Sequence, residues 1–197
     1  MTGSGDVLRD PARLAEIAAL GLTAPEVDAV LQQTVDEAAA ALHLPTALVS
    51  VVMGEAQYFA AQHGLTGWMA EAQGTPVEWS FCANAVQSGE PFVVEDAAAH
   101  PLVKDNPLVH YDNLRCYAGI PLVTSTGHTL GTLCVIGNEP RSFTEAEMDV
   151  LRGLAKKAIA RIEERRKDPH PSTSPTTSAT PGTQRTTGTT GIPGTPG

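Results

Sequence analysis

Apolar residues recur every three or four positions in two long segments of the chain, which predicts two amphipathic helices. The first, residues 27–42, follows residues 23–26, whose Thr-x-x-Glu spacing predicts a capping box. The second, residues 148–162, follows the same spacing at residues 144–147 and ends in a charged run. These helices bracket the part of the chain in which apolar positions are densest.

Between the two helices, apolar runs of strand length predict five strands. They lie at residues 46–53, 57–62, 91–95, 117–123 and 130–136. The short links at residues 54–55 and 124–128 predict two antiparallel hairpins. A shorter helix is expected to begin near Ser80 and to stop at Gly89.

The order of these elements predicts an α+β fold with a mostly antiparallel central sheet of about five to six strands. The terminal helices are expected on one face of the sheet. Residues 64–79 and 100–117 are mainly irregular, and we expect them to meet on the other face, over a loop-covered pocket.

Composition divides the chain into three parts. Residues 1–22 are expected to form an N-terminal segment with a short peripheral helix between Pro11 and Gly21. Residues 23–167 carry the compact domain. Residues 168–197 are rich in Pro, Thr, Gly and Ser, which predicts a disordered tail with no output domain after it.

Charge and apolar content restrict the environment of the domain. The formal net charge is −9, with 22 acidic and 13 basic residues, which disfavours binding to nucleic acid. We see no secretory signal and no apolar run of about 20 residues, so we expect a cytoplasmic protein that does not bind membranes.

The candidate chemistry is sparse. Three cysteines (Cys82, Cys116 and Cys134) without close spacing indicate free thiols, and the histidines form no metal-binding motif. Cys134 alternates within an apolar strand and is expected in the core. No nucleophile elbow or phosphate-binding loop occurs, so we expect no enzyme and no metal.

A series of short motifs in the central region is more specific. The motifs are residues 80–83 (Ser-Phe-Cys-Ala), 92–96 (Phe-Val-Val-Glu-Asp), 100–101 (His-Pro), 106–107 (Asn-Pro), 115–122 (Arg-Cys-Tyr-Ala-Gly-Ile-Pro-Leu) and 130–136 (Leu-Gly-Thr-Leu-Cys-Val-Ile). Taken in order, they resemble the GAF domain of bacterial sensor histidine kinases and cyclic-di-nucleotide enzymes. The resemblance covers residues 27–162 and implies a GAF/PAS-like sheet with a cupped pocket, sensing of a small molecule and dimerisation through the terminal helices.

Within that pocket we expect aromatic walls with a few polar groups. The candidate ligand-binding residues are Trp79, Phe81, Cys82, Asp96, His100, Asn106, His110, Tyr111, Arg115 and Tyr117. Arg115 suits a carboxylate or phosphate, or else it pairs with Asp112 or Asp96.

The leading hypothesis is a stand-alone GAF-type sensory module that binds a small molecule of unknown identity. It would form a homodimer through its first and last long helices and signal to a partner protein. A ligand-free interaction domain, with the space between Trp79, Asp96 and Tyr117 filled, is an alternative.

A second alternative is a thiol redox enzyme. Cys82 lies near a helix start, where the dipole favours the thiolate, and it resembles in position a cysteine of the GAF-type free methionine sulfoxide reductases. Cys116 would be its partner, although it comes later in the sequence than that family's pattern requires.

Two other GAF ligands match less well. A covalent bilin is disfavoured because no Cys-His pair is present. The cyclic-nucleotide motif is echoed only in part by Asn138, Phe143 and Glu147, and Glu139 stands where that motif has lysine.

Overall fold

The computed structural model describes residues 6–23 and 28–165, and within them six strands form one sheet. The strands are β1 (Thr46–Val52), β2 (Ala56–His63), β3 (Gly74–Pro76), β4 (Phe92–Val94), β5 (Cys116–Val123) and β6 (Thr129–Gly137). Their order across the sheet is β3-β2-β1-β6-β5-β4, and every neighbouring pair is antiparallel. The predicted fold class is confirmed, and both expected hairpins are present.

The helices of the described residues divide between the two faces of the sheet. They are α1 (Pro11–Ala19), α2 (Ala29–Leu42), α3 (Gly67–Ala72), α4 (Cys82–Ser88), α5 (Pro107–Tyr111) and α6 (Glu145–Glu164), with 3₁₀ turns at Val7–Arg9 and Val77–Trp79. None of the helices in this described part is both long and apolar enough to cross a membrane.

Helices α1, α2 and α6 cover one face of the sheet. Leu31 and Val35 of α2 and Leu151 of α6 are fully buried in the same apolar core as alternate residues of β1, such as Val49. Because side chains alternate along a strand, Leu48 belongs to the core on the opposite face. The sheet therefore separates two cores, with the terminal helices on one side and α4 and α5 on the other.

The start of α2 differs from the expected capping box. The structure begins α2 at Ala29, and Asp28 caps it by accepting from the amides of Val30 and Leu31 at 2.9 and 3.2 Å. Residues 24–27, which include most of the predicted box, lie outside the described residues. The second predicted capping box, at Thr144 and Glu147, is confirmed.

The N-terminal helix packs into the domain, although we expected it at the periphery. Arg13 of α1 is 1 % exposed, and its guanidinium donates to the carbonyl oxygens of Leu8, Val52, Thr129 and Leu130. The periodicity of apolar residues in α1 predicts an apolar stripe. It does not predict that Arg13 is buried or that it bonds to the end of β1 and the start of β6. The predicted tail, residues 168–197, lies outside the described residues.

Candidate functional site

A small cavity lies between the sheet and the helices of the second face. Its volume is about 70 Å³. Strands β1, β2, β3, β5 and β6 supply part of its lining, and Met69 of α3, Cys82 of α4 and Leu108 of α5 supply another part. The remaining lining residues lie between these elements and are Leu65, Phe81, Asp112, Leu114 and Asn138. The lining residues that are not fully buried mark its mouth, and they are Thr46, Leu65, Met69, Asp112, Ile136 and Asn138. The predicted pocket is therefore present, although it is narrow.

The cavity contains an unpaired hydroxyl. Thr75 of β3 is 5 % exposed, and its Oγ1 has no hydrogen-bond partner among the described residues. Gln57 lies opposite it across the β2–β3 pairing, and its Oε1 accepts a hydrogen bond from the Ser80 hydroxyl. A buried hydroxyl without a partner is unfavourable, and this one belongs to a residue that lines the cavity.

Ser80 holds the start of α4 beside this cavity. Its hydroxyl accepts from the Ala83 amide at 3.1 Å while it donates to Gln57. We expected Ser80 to cap this helix; α4 begins at Cys82 with Phe81 at the cap position, and Ser80 supports its first turn through the Ala83 amide. The following turn buries Phe81 and Cys82, each 2 % exposed, against the sheet.

Cys82 faces Cys134 of β6, with the two Sγ atoms 3.8 Å apart. The Tyr117 hydroxyl donates to Cys82 Sγ at 3.3 Å and lies 3.5 Å from Thr132 Oγ1. Thr132 Oγ1 is in turn 3.2 Å from the Ser50 hydroxyl. A connected group of two thiols, two hydroxyls and a phenol is therefore buried beside the cavity.

This group alters the acidity of its members. Burial raises the pKa of the Cys82 thiol, but hydrogen bonds with neighbouring thiol and hydroxyl groups outweigh burial and lower this pKa to about 6. These neighbours are Cys134, Ser50, Thr132 and Tyr117. The pKa of Cys134 is raised by the hydrogen bond between Cys134 and Cys82, together with burial. Of the two thiols, Cys82 is the one that accepts from the Tyr117 hydroxyl, which favours the thiolate at Cys82.

Cys116 lies on the other side of the sheet, which corrects the expected pairing of Cys82 with Cys116. It precedes Tyr117 in β5, so its side chain points to the face that holds Ala118, beneath the terminal helices. Its Sγ is packed close to Gly137. A redox enzyme that uses Cys82 with Cys116 is not compatible with this arrangement. Cys134 is buried as expected, and it is the thiol that Cys82 meets.

The cavity brings together three of the expected ligand-binding residues, namely Phe81, Cys82 and Tyr117. It adds Gln57, Thr75 and Asp112, which the sequence analysis did not select for a pocket. No periodic pattern marks Thr75, because its burial depends on the pairing of β3 with β2. One indirect signal for Thr75 was available, namely that it lies in residues 64–79, the irregular segment predicted to cover the pocket.

Two expected aromatic residues lie outside the cavity. Trp79 packs edge-on against Trp68 with ring centroids 5.8 Å apart, and Tyr111 is 85 % exposed. Together with Pro76 and Asp112 they outline a shallow surface slot next to the cavity mouth. The indole nitrogen of Trp68 donates to Asp112 at 2.9 Å and so connects the slot with the mouth.

The remaining expected residues hold loops in place. Asn106 caps α5 through the Leu108 amide at 2.9 Å and donates to the Trp79 carbonyl at 3.1 Å. The other contacts are Asp96 with the Ala98 amide, His100 with the Leu102 amide and the Phe92 ring, and Arg115 with the side chain of Asn113. His110 is exposed near the end of α5.

No group of three or more His, Cys, Asp or Glu side chains able to hold a metal ion occurs among the described residues. The cavity therefore offers hydroxyl, amide, thiol and carboxylate groups together with apolar walls. These groups suit the binding of a small polar molecule.

A family model described as "GAF domain" matches residues 24–162, which is most of the chain. The chain belongs to the GAF domain family. The match includes the whole sheet, the cavity and helix α6 up to Ile162.

One curated relative is 37 % identical over 152 residues, a stretch that makes up 76 % of this chain. It is named cyclic di-GMP phosphodiesterase PA2567 and comes from Pseudomonas aeruginosa. The matched stretch is only 25 % of that protein's length. The similarity therefore concerns its GAF-like part.

Solved GAF structures share the fold. The GAF domain of a phosphoenolpyruvate-protein phosphotransferase from Coxiella burnetii has a TM-score of 0.62 and 21 % identity, covering 80 % of this chain and 98 % of that one. Free methionine-R-sulfoxide reductase from Neisseria meningitidis has a TM-score of 0.57 and 22 % identity, covering 77 % of this chain and 88 % of that one. At these identities the comparison establishes the GAF fold and not the chemistry.

Proposed function

We propose that this GAF domain is a sensory or regulatory module that binds a small polar molecule in the cavity between the sheet and helices α3, α4 and α5. The observation that carries this proposal is the buried Thr75 hydroxyl, which lines the cavity without a hydrogen-bond partner among the described residues. Leaving such a group unpaired costs roughly 1–3 kcal/mol. A ligand that pairs with it recovers this free energy.

The size of the cavity limits the ligand. At about 70 Å³ it can hold a few non-hydrogen atoms. A water needs roughly 10–15 Å³ of such space. Pockets for drug-sized ligands measure about 300–1,000 Å³. The ligand is therefore a small molecule with one or two polar groups, which pair with Thr75 and with Gln57 or Tyr117.

Strand β1 provides a route from the cavity to the terminal helices. Leu48 lines the cavity, whereas its neighbours Ala47 and Val49 pack on the opposite face in the core that includes α2 and α6. A ligand that displaces Leu48 shifts this strand beneath the helices. This supports signalling through the terminal helices to a partner protein, by binding rather than by catalysis.

A homodimer formed through α2 and α6 is the second part of the proposed function. The solvent side of these helices carries charged residues such as Asp36 and Lys156, and between them lie the small or apolar residues Ala40, Ala41, Val150 and Gly153, where two helices can approach closely. Light scattering of the full chain should give the mass of a dimer. A monomer at micromolar concentration contradicts this part of the proposal.

The name of the Pseudomonas aeruginosa relative supports a signalling role, because there a similar stretch belongs to a much longer protein named for hydrolysis of cyclic di-GMP. We infer the signalling role for this protein and not the hydrolysis.

Native mass spectrometry of the protein purified from its own host tests the bound ligand. We expect a small non-covalent adduct on the wild-type protein. Leu108→Phe should remove it by filling the cavity, and Thr75→Val should weaken it. The control is Leu102→Ala, at a position 71 % exposed and away from the cavity. A wild-type protein without an adduct, or an adduct that persists in folded Leu108→Phe, contradicts the proposal.

A further inference from the structure

Cys82 and Cys134 are brought together by packing of α4 against β6. Their Sγ atoms are 3.8 Å apart, and the two residues are 2 % and 0 % exposed. A disulfide has a sulfur–sulfur distance of about 2.05 Å, so roughly 1.8 Å of approach would join them. Cys82 is the first residue of α4, so the required movement concerns the first turn of this helix.

The surroundings of the pair are unusual for buried structural cysteines. A thiol in apolar surroundings is normally neutral and inert, because burial disfavours the thiolate. Here the Tyr117 hydroxyl donates to Cys82 Sγ at 3.3 Å, and the hydroxyls of Ser50 and Thr132 complete the group. These donors stabilise negative charge on Cys82, in agreement with its lowered pKa.

The two sulfurs differ in access. Cys82 lines the cavity of about 70 Å³, whereas Cys134 lies behind it and is not a lining residue. Hydrogen peroxide has two non-hydrogen atoms and fits this space. Cys82 is therefore the sulfur that a small oxidant reaches first, with Cys134 in position to react next.

We propose that Cys82 and Cys134 are a redox-active dithiol that hydrogen peroxide converts into a disulfide. The Cys82 thiolate attacks one peroxide oxygen, the oxygen–oxygen bond breaks, and the leaving hydroxide takes up the proton that the thiol released. The products are Cys82 sulfenic acid and water.

Cys134 completes the reaction. Its sulfur attacks the Cys82 sulfur, the sulfur–oxygen bond breaks, and the hydroxide leaves with the Cys134 proton as a second water. The dithiol loses two electrons and two protons, and one peroxide is reduced to two waters. Dithiothreitol restores both thiols by exchange once the chain is unfolded or digested, because it is too large for the folded cavity.

This modification does not require a ligand in the cavity, and it goes beyond the proposed binding function. Closing the disulfide would draw the first turn of α4 towards β6 and remove a thiol from the lining of the cavity. The redox state of the pair would therefore change what the cavity can bind.

Peptide mapping of the full chain after peroxide treatment tests the proposal. The native protein is exposed to hydrogen peroxide, remaining thiols are alkylated, and it is digested without reductant. We expect a peptide pair joined through Cys82 and Cys134, a mass loss of two hydrogen atoms for the intact chain, and reversal by dithiothreitol. This readout uses the unaltered protein, so it does not depend on the folding of a variant.

Cys116 supplies a matched control, since it is also buried but lies on the opposite face of the sheet. Cys116→Ser should form the same cross-link as the wild type. Cys134→Ser should stop at a Cys82 sulfenic acid, which dimedone present during denaturation traps, because the folded cavity is too small to admit it. Tyr117→Phe should slow the oxidation of Cys82 about ten-fold, the effect of losing a hydrogen bond to a charged group. The proposal is overturned if folded wild-type protein forms no bond between Cys82 and Cys134, or if oxidation occurs first at Cys116.

Discussion

The carboxylate of Asp28 and the guanidinium of Arg161 join the start of α2 to the end of α6, with Oδ2 and Nε 2.9 Å apart. The Asp28 side chain is 2 % exposed, and its other oxygen caps α2 through the amides of Val30 and Leu31. Arg165 approaches the same carboxylate at 3.2 Å. One acidic group therefore serves as a helix cap and as the link between the two terminal helices.

Replacing Asp28 separates these two roles. Asp28→Ala removes both and should lower the free energy of unfolding by about 2 kcal/mol, since a cap contributes about 1 kcal/mol and a charged hydrogen bond somewhat more. Asp28→Asn keeps a side chain that can cap and should cost about half as much. Urea denaturation measures both. Equal losses in the two variants would mean that the cap contributes nothing.

The same carboxylate predicts a dependence on pH. Burial raises the pKa of Asp28, but the Leu31 amide and the Arg161 guanidinium outweigh it and hold the pKa below its ordinary value. A depressed pKa gives stability that is complete above the unfolded value, about 3.9, and that is lost as the pH falls through the folded pKa. The difference in unfolding free energy between wild type and Asp28→Asn should therefore shrink from about pH 5 to about pH 3. A difference that stays constant over this range contradicts the assignment.

Arg13 predicts a larger effect where the end of β1 meets the start of β6. Arg13→Ala leaves four carbonyl oxygens without their donor and opens space in the core, so it should cost about 3 kcal/mol. Arg13→Lys should recover only part of this, because an ammonium cannot reproduce the planar guanidinium. The control is Arg9→Ala, whose side chain is 60 % exposed in a surface ion pair with Glu55. Urea denaturation that gives equal losses for Arg13→Ala and Arg9→Ala would contradict the structural role of Arg13.

Most of the sheet could be predicted because its longer strands carry their own signals. Strands β1 and β2 are apolar runs joined by a tight link, and β5 and β6 repeat that pattern. Strand β3 has no such signal. It is three residues long and contains a glycine and a proline. It forms because the edge of β2, including Gln57, is available to pair with it. Its place in the fold is set by tertiary contacts.

The site was predicted less completely for a related reason. Phe81 and Tyr117 lie in motifs with a local pattern, whereas the burial of Thr75 follows from strand pairing across the sheet. The partner of Cys82 is Cys134 because α4 packs against β6, and the spacing of residues along the sequence does not predict this packing. Strand alternation was nevertheless a usable signal against Cys116, because a residue next to Tyr117 points to the opposite face.

Gly153 offers a test of the solvent side of α6. A Cβ at this position would have no heavy atom within 4 Å in the single chain, so Gly153→Ala should stabilise a monomer by about 1 kcal/mol through helix propensity. In the dimer proposed through α2 and α6, the added methyl should instead destabilise the protein. The contrasting variant is Gly131→Ala, where a Cβ would overlap the Ser50 carbonyl, and it should destabilise strongly. Thermal unfolding measures both. A loss of stability in Gly153→Ala would mean that this face is covered in solution, as in a dimer through α6.

Thr75→Val tests the unpaired hydroxyl that carries the proposed function. The two side chains have nearly the same shape, but valine needs no hydrogen bond. If the cavity is empty in the purified protein, Thr75→Val should raise the unfolding free energy by about 1 kcal/mol, because it removes a buried group that lacks a partner.

The ligand reverses the sign of this effect. In protein that retains its ligand, the hydroxyl of Thr75 is paired, and Thr75→Val should be destabilising because the ligand loses a hydrogen bond. Urea denaturation before and after the bound molecule is removed by refolding and dialysis compares the two states. Thr34→Val is a control at a buried threonine whose hydroxyl donates to the Val30 carbonyl at 2.7 Å, and it should destabilise in both states. If Thr75→Val is destabilising both before and after dialysis, as Thr34→Val is, the protein itself pairs the Thr75 hydroxyl. That result would contradict the proposed binding of a polar ligand in the cavity.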